Sequence, residues 1–505
     1  MAAFRKTHPD PSDRPFGGEW DWAKNGARLY PDRRFMEVDG DGVGEHFTFA
    51  AFSDRVDRVA GRLVAGGLTP GDRVAALLTD PLLAAELVFA AIRTGAVLVP
   101  VNHRLGREEV AHILQDAAPR VVITAPALRD RLPPSGPRGM QTWVVEREAS
   151  GEDPLLGDPL PVAWLPGPDQ VQSLIYTSGT TGRPKGAVLT LDQHWWNAIG
   201  SLLRLGHQPG DSWLLCMPLF HVGGQAILFR AAIAGCRVIV EPRFDAASVA
   251  CWLASGEVTL ASLVPTMLQR VLDAAAAPFS PSLRAILLGG AATPPALLQR
   301  GLAAGLPLVP TYGMTETGSQ MATVDPVDDD PAGGARPLFA ADLLIADPDV
   351  DGVGEILVRG PQVSPGYWVA GALQTGDGWL HTGDLGRIDK SGRLTVMDRR
   401  ADLIVSGGEN IYPAEVEAAL LLHPAVERAA VVPVEDAHWG QVPGAAVVLQ
   451  AGAVQSPDDL SAFLRGRLAS YKVPHHWKIV DALPETANGK VLRREVQGWF
   501  RPSMP

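Results

Sequence analysis

Cysteine is scarce: Cys216, Cys236 and Cys251 are the only ones in 505 residues. An odd number without metal-site spacing suggests neither a disulfide framework nor a zinc cluster, and fits a reducing cytoplasm. Positive charge is short as well. Lys and Arg total 44 against 56 Asp and Glu, a formal net charge of -12, which argues against a broad footprint on nucleic acid or an anionic membrane. Any anionic ligand must therefore be held by a local site. Long apolar runs are missing too. The most apolar stretch, Leu82 to Val101, is broken by Glu86 and Arg93 and contains Gly95 and Pro100. It reads as a buried helix running into a strand rather than a membrane span. The N-terminal stretch MAAFRKTHPDPSDRPFGG lacks the apolar core of a signal peptide and reads as an extended arm.

What is present is α/β patterning. Helix-like stretches such as FAAFSDRVDRVAGRLVAGG alternate with short apolar runs such as RVAALL and AVLVPV, each bounded by Gly, Pro or Asp. The pattern recurs to about Val309 and predicts a large layered α/β domain. From Ala341 onward, short β-like runs (ADLLIA, GEILVRG, RLTVMD) separated by Gly-rich turns predict a smaller β subdomain. A compact α+β unit follows the segment DRRAD. The expected division is a domain over residues 1–398, a hinge at 399–402 and a small mobile domain over 403–505.

The stretch Thr177 to Gly186, TSGTTGRPKG, lies between the apolar runs VQSLIY and AVLTL. Glycines let a backbone approach a ligand closely, and Ser178, Thr180 and Thr181 supply hydroxyl donors. Lys185 adds a compact positive charge, which suits a polyphosphate. No Gly-Lys-Ser/Thr occurs and Pro184 disfavours immediate helix entry, so a loop between two strands is expected instead of a Walker A turn.

Together with YGMTE (Tyr312 to Glu316), HTGDLG (His381 to Gly386), DRRADLIVSGGENIYPAEVE (Asp398 to Glu417) and ANGKVLRRE (Ala487 to Glu495), this stretch resembles the acyl-adenylate-forming superfamily of acyl-CoA synthetases, adenylation domains and luciferases. The motifs occur in that family's order and spacing. The resemblance implies an acyl-CoA synthetase-like fold and a two-step ligase using ATP, Mg²⁺ and coenzyme A. Lys490 matches the catalytic lysine, with Thr315, Glu316 and Lys185 as further catalytic groups and Glu316 beside the metal. Thr177, Ser178, Gly179, Thr180, Thr181, Gly182, Gly289, Gly290, Ala291, Tyr312, Gly313, Asp384 and Arg399 match nucleotide-binding positions. Tyr312 would stack on adenine, and Asp384 with Arg399 would bind ribose. Gly407, Gly408, Trp439, Tyr471 and Lys472 match positions along the coenzyme A path. The hinge falls on Ala401, where relatives usually carry Asp or Lys, which puts the balance between two domain positions in doubt.

Within the superfamily, DQHWWNAIGSLLRLG, FHVGG and TYGMTETGSQMATVDP are similar to the o-succinylbenzoate–CoA ligase branch of menaquinone biosynthesis. That likeness implies a second carboxylate on the acid and a cation in the pocket, for which Arg230 is the candidate. His221, Gly223, Ser319 and Gln320 would line the acyl channel. A medium-chain fatty acid or aryl acid–CoA ligase, a stand-alone enzyme loading a carrier protein, and a silent binding protein on the same fold stay open. Relatives commonly form homodimers or tetramers; neither nucleic acid nor a membrane span is expected.

Overall fold

In the computed structural model the described residues are 20–38, 44–147, 153–160, 164–178, 184–208, 210–291, 293–326, 330–331, 333–375, 378–398, 403–484 and 491–500. Two sheets dominate the first 340 or so. One contains Arg73–Leu77, Val97–Pro100, Val121–Thr124, Val171–Ser178 and Pro184–Thr190; the other contains Ser212–Leu215, Arg237–Val240, Leu260–Leu263, Ala285–Leu288 and Leu308–Tyr312. Period-2 alternation splits each strand between two cores. Val74 and Ala76 face a central core while Ala75 and Leu77 face an outer one. Trp213 and Leu215 face the same central core, and Leu214 and Cys216 turn to the opposite outer face. Helices lie between the sheets and outside both, giving the layered α/β domain that the patterning predicts.

The apolar stretch at Leu82 forms the helix Pro81–Thr94, followed by the strand Val97–Pro100. Asp80 caps the helix by accepting from the N–H groups of Leu82 and Leu83, and Gly95 ends it in the left-handed region at φ 69°. Both charges that interrupt the run are paired: Glu86 with Arg55, and Arg93 with Asp21 and Asp57. Buried charges in so apolar a helix are tolerable only with such partners. No helix among the described residues is long and apolar enough to cross a membrane.

The β-like region after Ala341 differs in one respect from its reading in sequence. Asp342–Ala346, Gly354–Arg359, Leu380–Ile388 and Leu394–Asp398 form a separate antiparallel sheet. The hairpin Gly366–Val369 and Ala372–Thr375 leaves it and pairs with Pro184–Thr190, extending a main sheet. Asp116 fixes this docking by accepting from the Ala370 N–H, while its backbone carbonyl accepts from the Trp368 indole. The final unit pairs Val426–Asp436 with Gly440–Leu449, adds His476–Ile479 in parallel, and packs the helices Pro413–Leu421 and Pro457–Arg465 on its core.

Candidate active site

The strands Val171–Ser178 and Pro184–Thr190 are antiparallel, with Ser178 opposite Pro184. The Gly/Thr-rich stretch thus joins two paired strands, as its Pro and missing Gly-Lys-Ser/Thr imply. Gly179, Thr180, Thr181 and Gly182 lie outside the described residues, as do Arg399, Ala401 and Lys490.

Thr177 and Lys185, on the two paired strands, open onto a cavity of about 450 Å³. Gly289, Gly290, Gly313, Thr315, Glu316 and Asp384 share its wall, so strand ends distant in sequence converge on one space. Gly313 is required by crowding: a Cβ there would sit 1.7 Å from the Ser319 carbonyl oxygen. Ala291 and Tyr312 do not border the cavity. Tyr312 is buried behind it, with its hydroxyl donating to Asp384 Oδ2 at 2.9 Å. That hydrogen bond ties the Asp384 carboxylate to the end of the strand Leu308–Tyr312.

Glu316 is held from two sides. Its Oε1 accepts from the Tyr367 hydroxyl at 2.7 Å, and its backbone oxygen accepts from Gln193 Nε2 and the Ser364 N–H. Lys185 Nζ lies 5.9 Å from the Tyr367 ring centroid. Tyr367, on the docked hairpin, therefore joins the expected metal-side carboxylate to the expected phosphate-side lysine. Nothing in its sequence context, SPGYW, marks it.

The acyl-side residues His221, Gly223, Arg230, Ser319 and Gln320 line the same cavity. Arg230 is 1% exposed, yet among the described residues no carboxylate pairs with it and its Nε has no hydrogen-bond partner. Among the described residues its hydrogen bond runs from Nη2 to Asn197 Oδ1 at 3.0 Å. Burial without a counter-charge pushes the guanidinium's pKa down from the ordinary arginine range. A buried cation left in this condition is costly unless a ligand supplies the missing charge.

A second cavity, about 840 Å³, shares His221, Gly408, Glu409 and Tyr471 with the first and runs between the large domain and the C-terminal unit. Gly407, Gly408, Trp439 and Tyr471 line it. At Gly407, φ is 57° and an added Cβ would lie 2.7 Å from the Trp439 ring, so only glycine fits.

Two ionic contacts hold the C-terminal unit here. Glu409 accepts from Arg104 Nη1 at 2.7 Å and faces His221 Nε2 at 3.3 Å. Burial alone would raise the Glu409 carboxyl, but His221 and Arg104 outweigh it and hold it at about 2. Lys472 is buried, and its ammonium donates to Glu109 of the large domain and to Glu415 of its own unit. Burial disfavours this ammonium, but its carboxylate neighbours, Glu415 first, raise its pKa nonetheless. A lysine so engaged has no spare charge for a coenzyme A phosphate. Glu109, Arg104 and Glu409 were not singled out in the sequence; contacts 305 residues apart leave no local signal.

The AMP-binding enzyme family matches residues 23–368, and the AMP-binding enzyme C-terminal domain matches residues 415–490. The chain belongs to the AMP-binding enzyme family. A 2–succinylbenzoate–CoA ligase of Geobacillus kaustophilus is 41% identical over 491 residues, covering 94% of this chain and 97% of that protein. A double mutant of o-succinylbenzoate CoA synthetase from Bacillus subtilis, bound with its product analogue OSB-NCoA, matches with TM-score 0.83 at 35% identity, covering 94% of this chain and 98% of that one. The same synthetase in complex with the acyl-adenylate intermediate OSB-AMP matches with TM-score 0.66 at the same identity and coverage. The layout described here is nearer to the product-analogue complex. Within the family, the acyl-CoA synthetase-like fold expected from the motifs is the one observed.

Proposed function

We propose that this chain converts 2-succinylbenzoate, ATP and coenzyme A to 2-succinylbenzoyl-CoA, AMP and diphosphate. The observation that carries the choice of acid is Arg230, a buried guanidinium without a counter-ion among the described residues, on the wall of the cavity that also holds Thr315, Glu316 and Lys185. An acid with two carboxylates fits: one reacts, and the other supplies the charge Arg230 lacks.

In the first half reaction a carboxylate oxygen attacks the α-phosphorus and diphosphate leaves. Two anions meet, so positioning and charge neutralisation do most of the work. Thr177 to Gly182 and Lys185 would cradle the phosphates, Gly289, Gly290 and Gly313 would border the adenine, and Asp384 with Arg399 would bind the ribose. Lys490 would neutralise charge at the reacting oxygens. Glu316 offers a hard oxygen donor, and no group of three or more His, Cys, Asp or Glu forms a metal cage among the described residues. That donor set suits Mg²⁺ held jointly with ATP phosphates, where it would offset their charge. In the second half reaction the coenzyme A sulfur attacks the acyl carbon, loses its proton, and AMP leaves. The larger cavity, past Gly407 and Gly408, would be the route for the thiol, with Trp439 at its exposed end.

The division at 399–402, with Ala401 as pivot, belongs to the same reading: the C-terminal unit takes a second position for adenylation. The Lys472 contact then stabilises the thioester-forming position specifically. Lys472→Met, which leaves Glu109 and Glu415 buried without their cation, is expected to cost that position about 3–5 kcal/mol. Thioester formation from supplied acyl-adenylate should slow while ATP–diphosphate exchange holds. Equal slowing of both reactions in rapid-quench assays would contradict this assignment.

The acid is tested directly. With ATP, Mg²⁺, coenzyme A and a panel of acids, AMP release and thioester formation are expected to favour 2-succinylbenzoate clearly over octanoate and benzoate. Preference for either of those would move the assignment to a medium-chain or aryl acid–CoA ligase. AMP release without transfer to coenzyme A would point to a separate carrier protein as acceptor.

A further inference from the structure

Asn197 sits on the helix Leu191–Leu205, 1% exposed and behind the cavity wall. Its Oδ1 accepts from Arg230 Nη2 at 3.0 Å, and its Nδ2 donates to the backbone oxygens of Thr317 at 2.9 Å and Gln320 at 2.7 Å. The partners fix the amide's orientation. A guanidinium only donates and a carbonyl only accepts, so the oxygen must face Arg230 and the nitrogen must face the loop. That loop directly follows Thr315 and Glu316 and carries Ser319 and Gln320 into the cavity. One neutral side chain thus ties the anion-binding candidate to the segment beside the phosphate-side residues.

The neutrality is the informative part. Aspartate has nearly the same shape and is the common partner of a buried arginine. Here it would cancel the Arg230 charge and turn an oxygen toward two carbonyl oxygens that need donors. Asparagine satisfies the loop, fixes the guanidinium and leaves its charge uncompensated. Trp213 adds to the enclosure, its ring centroid 5.9 Å from Arg230 Cζ, without supplying charge.

We infer that Asn197 is a positioning residue for acid selectivity: it holds Arg230 fixed but un-neutralised, so that the only carboxylate able to pair with it is the second one of the substrate. This rests on the reading of Arg230 given above, and the test separates the two. The readout is the ratio of kcat/KM in adenylation for 2-succinylbenzoate over its methyl ester at the aromatic carboxylate. Any general loss of activity cancels in this ratio. The unaltered enzyme is expected to favour the diacid by about 10²-fold. Asn197→Asp should lower the ratio to near that of Arg230→Met, chiefly through KM for the diacid. Asn197→Ala, which adds no charge, should lower it about tenfold by releasing the guanidinium from its orientation. If Arg230→Met collapses the ratio while both Asn197 variants keep it, the positioning role is overturned and the Arg230 reading stands. If Arg230→Met itself leaves the ratio unchanged, the reading beneath it fails as well. Should Asn197→Asp not be recovered folded, Asn197→Ala decides alone: a lowered ratio supports the role, an unchanged one overturns it.

Discussion

Replacing Lys490 with alanine is expected to slow adenylate formation by about 10²–10³-fold, the cost of losing one preorganised charge-stabilising donor. Thioester formation from supplied 2-succinylbenzoyl-adenylate should change little. The asymmetry follows from where charge gathers. Carboxylate and triphosphate repel each other until positive charge is held between them, whereas the thiol meets a neutral acyl carbon whose leaving group is already activated. In the described arrangement the C-terminal unit presents Gly408 and Glu409 to both cavities; the proposed scheme has it turn a different face to the site for each half reaction. ATP–diphosphate exchange measures the first step, and rapid mixing of acyl-adenylate with coenzyme A measures the second. Equal loss in both would remove the two-position scheme.

Arg230→Met is expected to lower kcat/KM for 2-succinylbenzoate by about 10²-fold or more while altering a monocarboxylate by only a few fold. The same change should raise the melting temperature of the unliganded protein. A buried charge without a counter-ion destabilises the fold, and an apolar side chain of similar length removes that burden while filling the space. Loss of selectivity with gain of stability is a signature that neither a packing residue nor a structural ion pair would give. Parallel losses for both acids, or a lower melting temperature, would take Arg230 out of the pocket.

Much of this was legible in the sequence where the signal is local. The run at Leu82 announces a helix and strand through its cap, its glycine and its apolar density. The loop between VQSLIY and AVLTL announces a two-strand junction through its proline. The motif residues Thr315, Glu316, Asp384, Gly407 and Gly408 do line the two cavities. Partnership was not legible. Tyr312 is bound to Asp384, and Lys472 is held by two carboxylates, one of them 363 residues away. Residue type announces a charge or a ring; what the charge is already bonded to depends on the tertiary fold. The docking of Gly366–Val369 onto a main sheet was missed for the same reason, since Asp116, which secures it, lies some 250 residues earlier.

The buried Lys472 contact also sets a pace. If the C-terminal unit alternates between two positions, each turnover must rehydrate an ammonium and two carboxylates and then strip the water away again. A stronger grip would lengthen the time spent with finished thioester in place, and a weaker one would let the acyl-adenylate wait undefended against hydrolysis. Two acids surround one base there, and among the described residues Glu415 Oε2 has no hydrogen-bond partner, so the grip is weaker than a fully satisfied cluster would give.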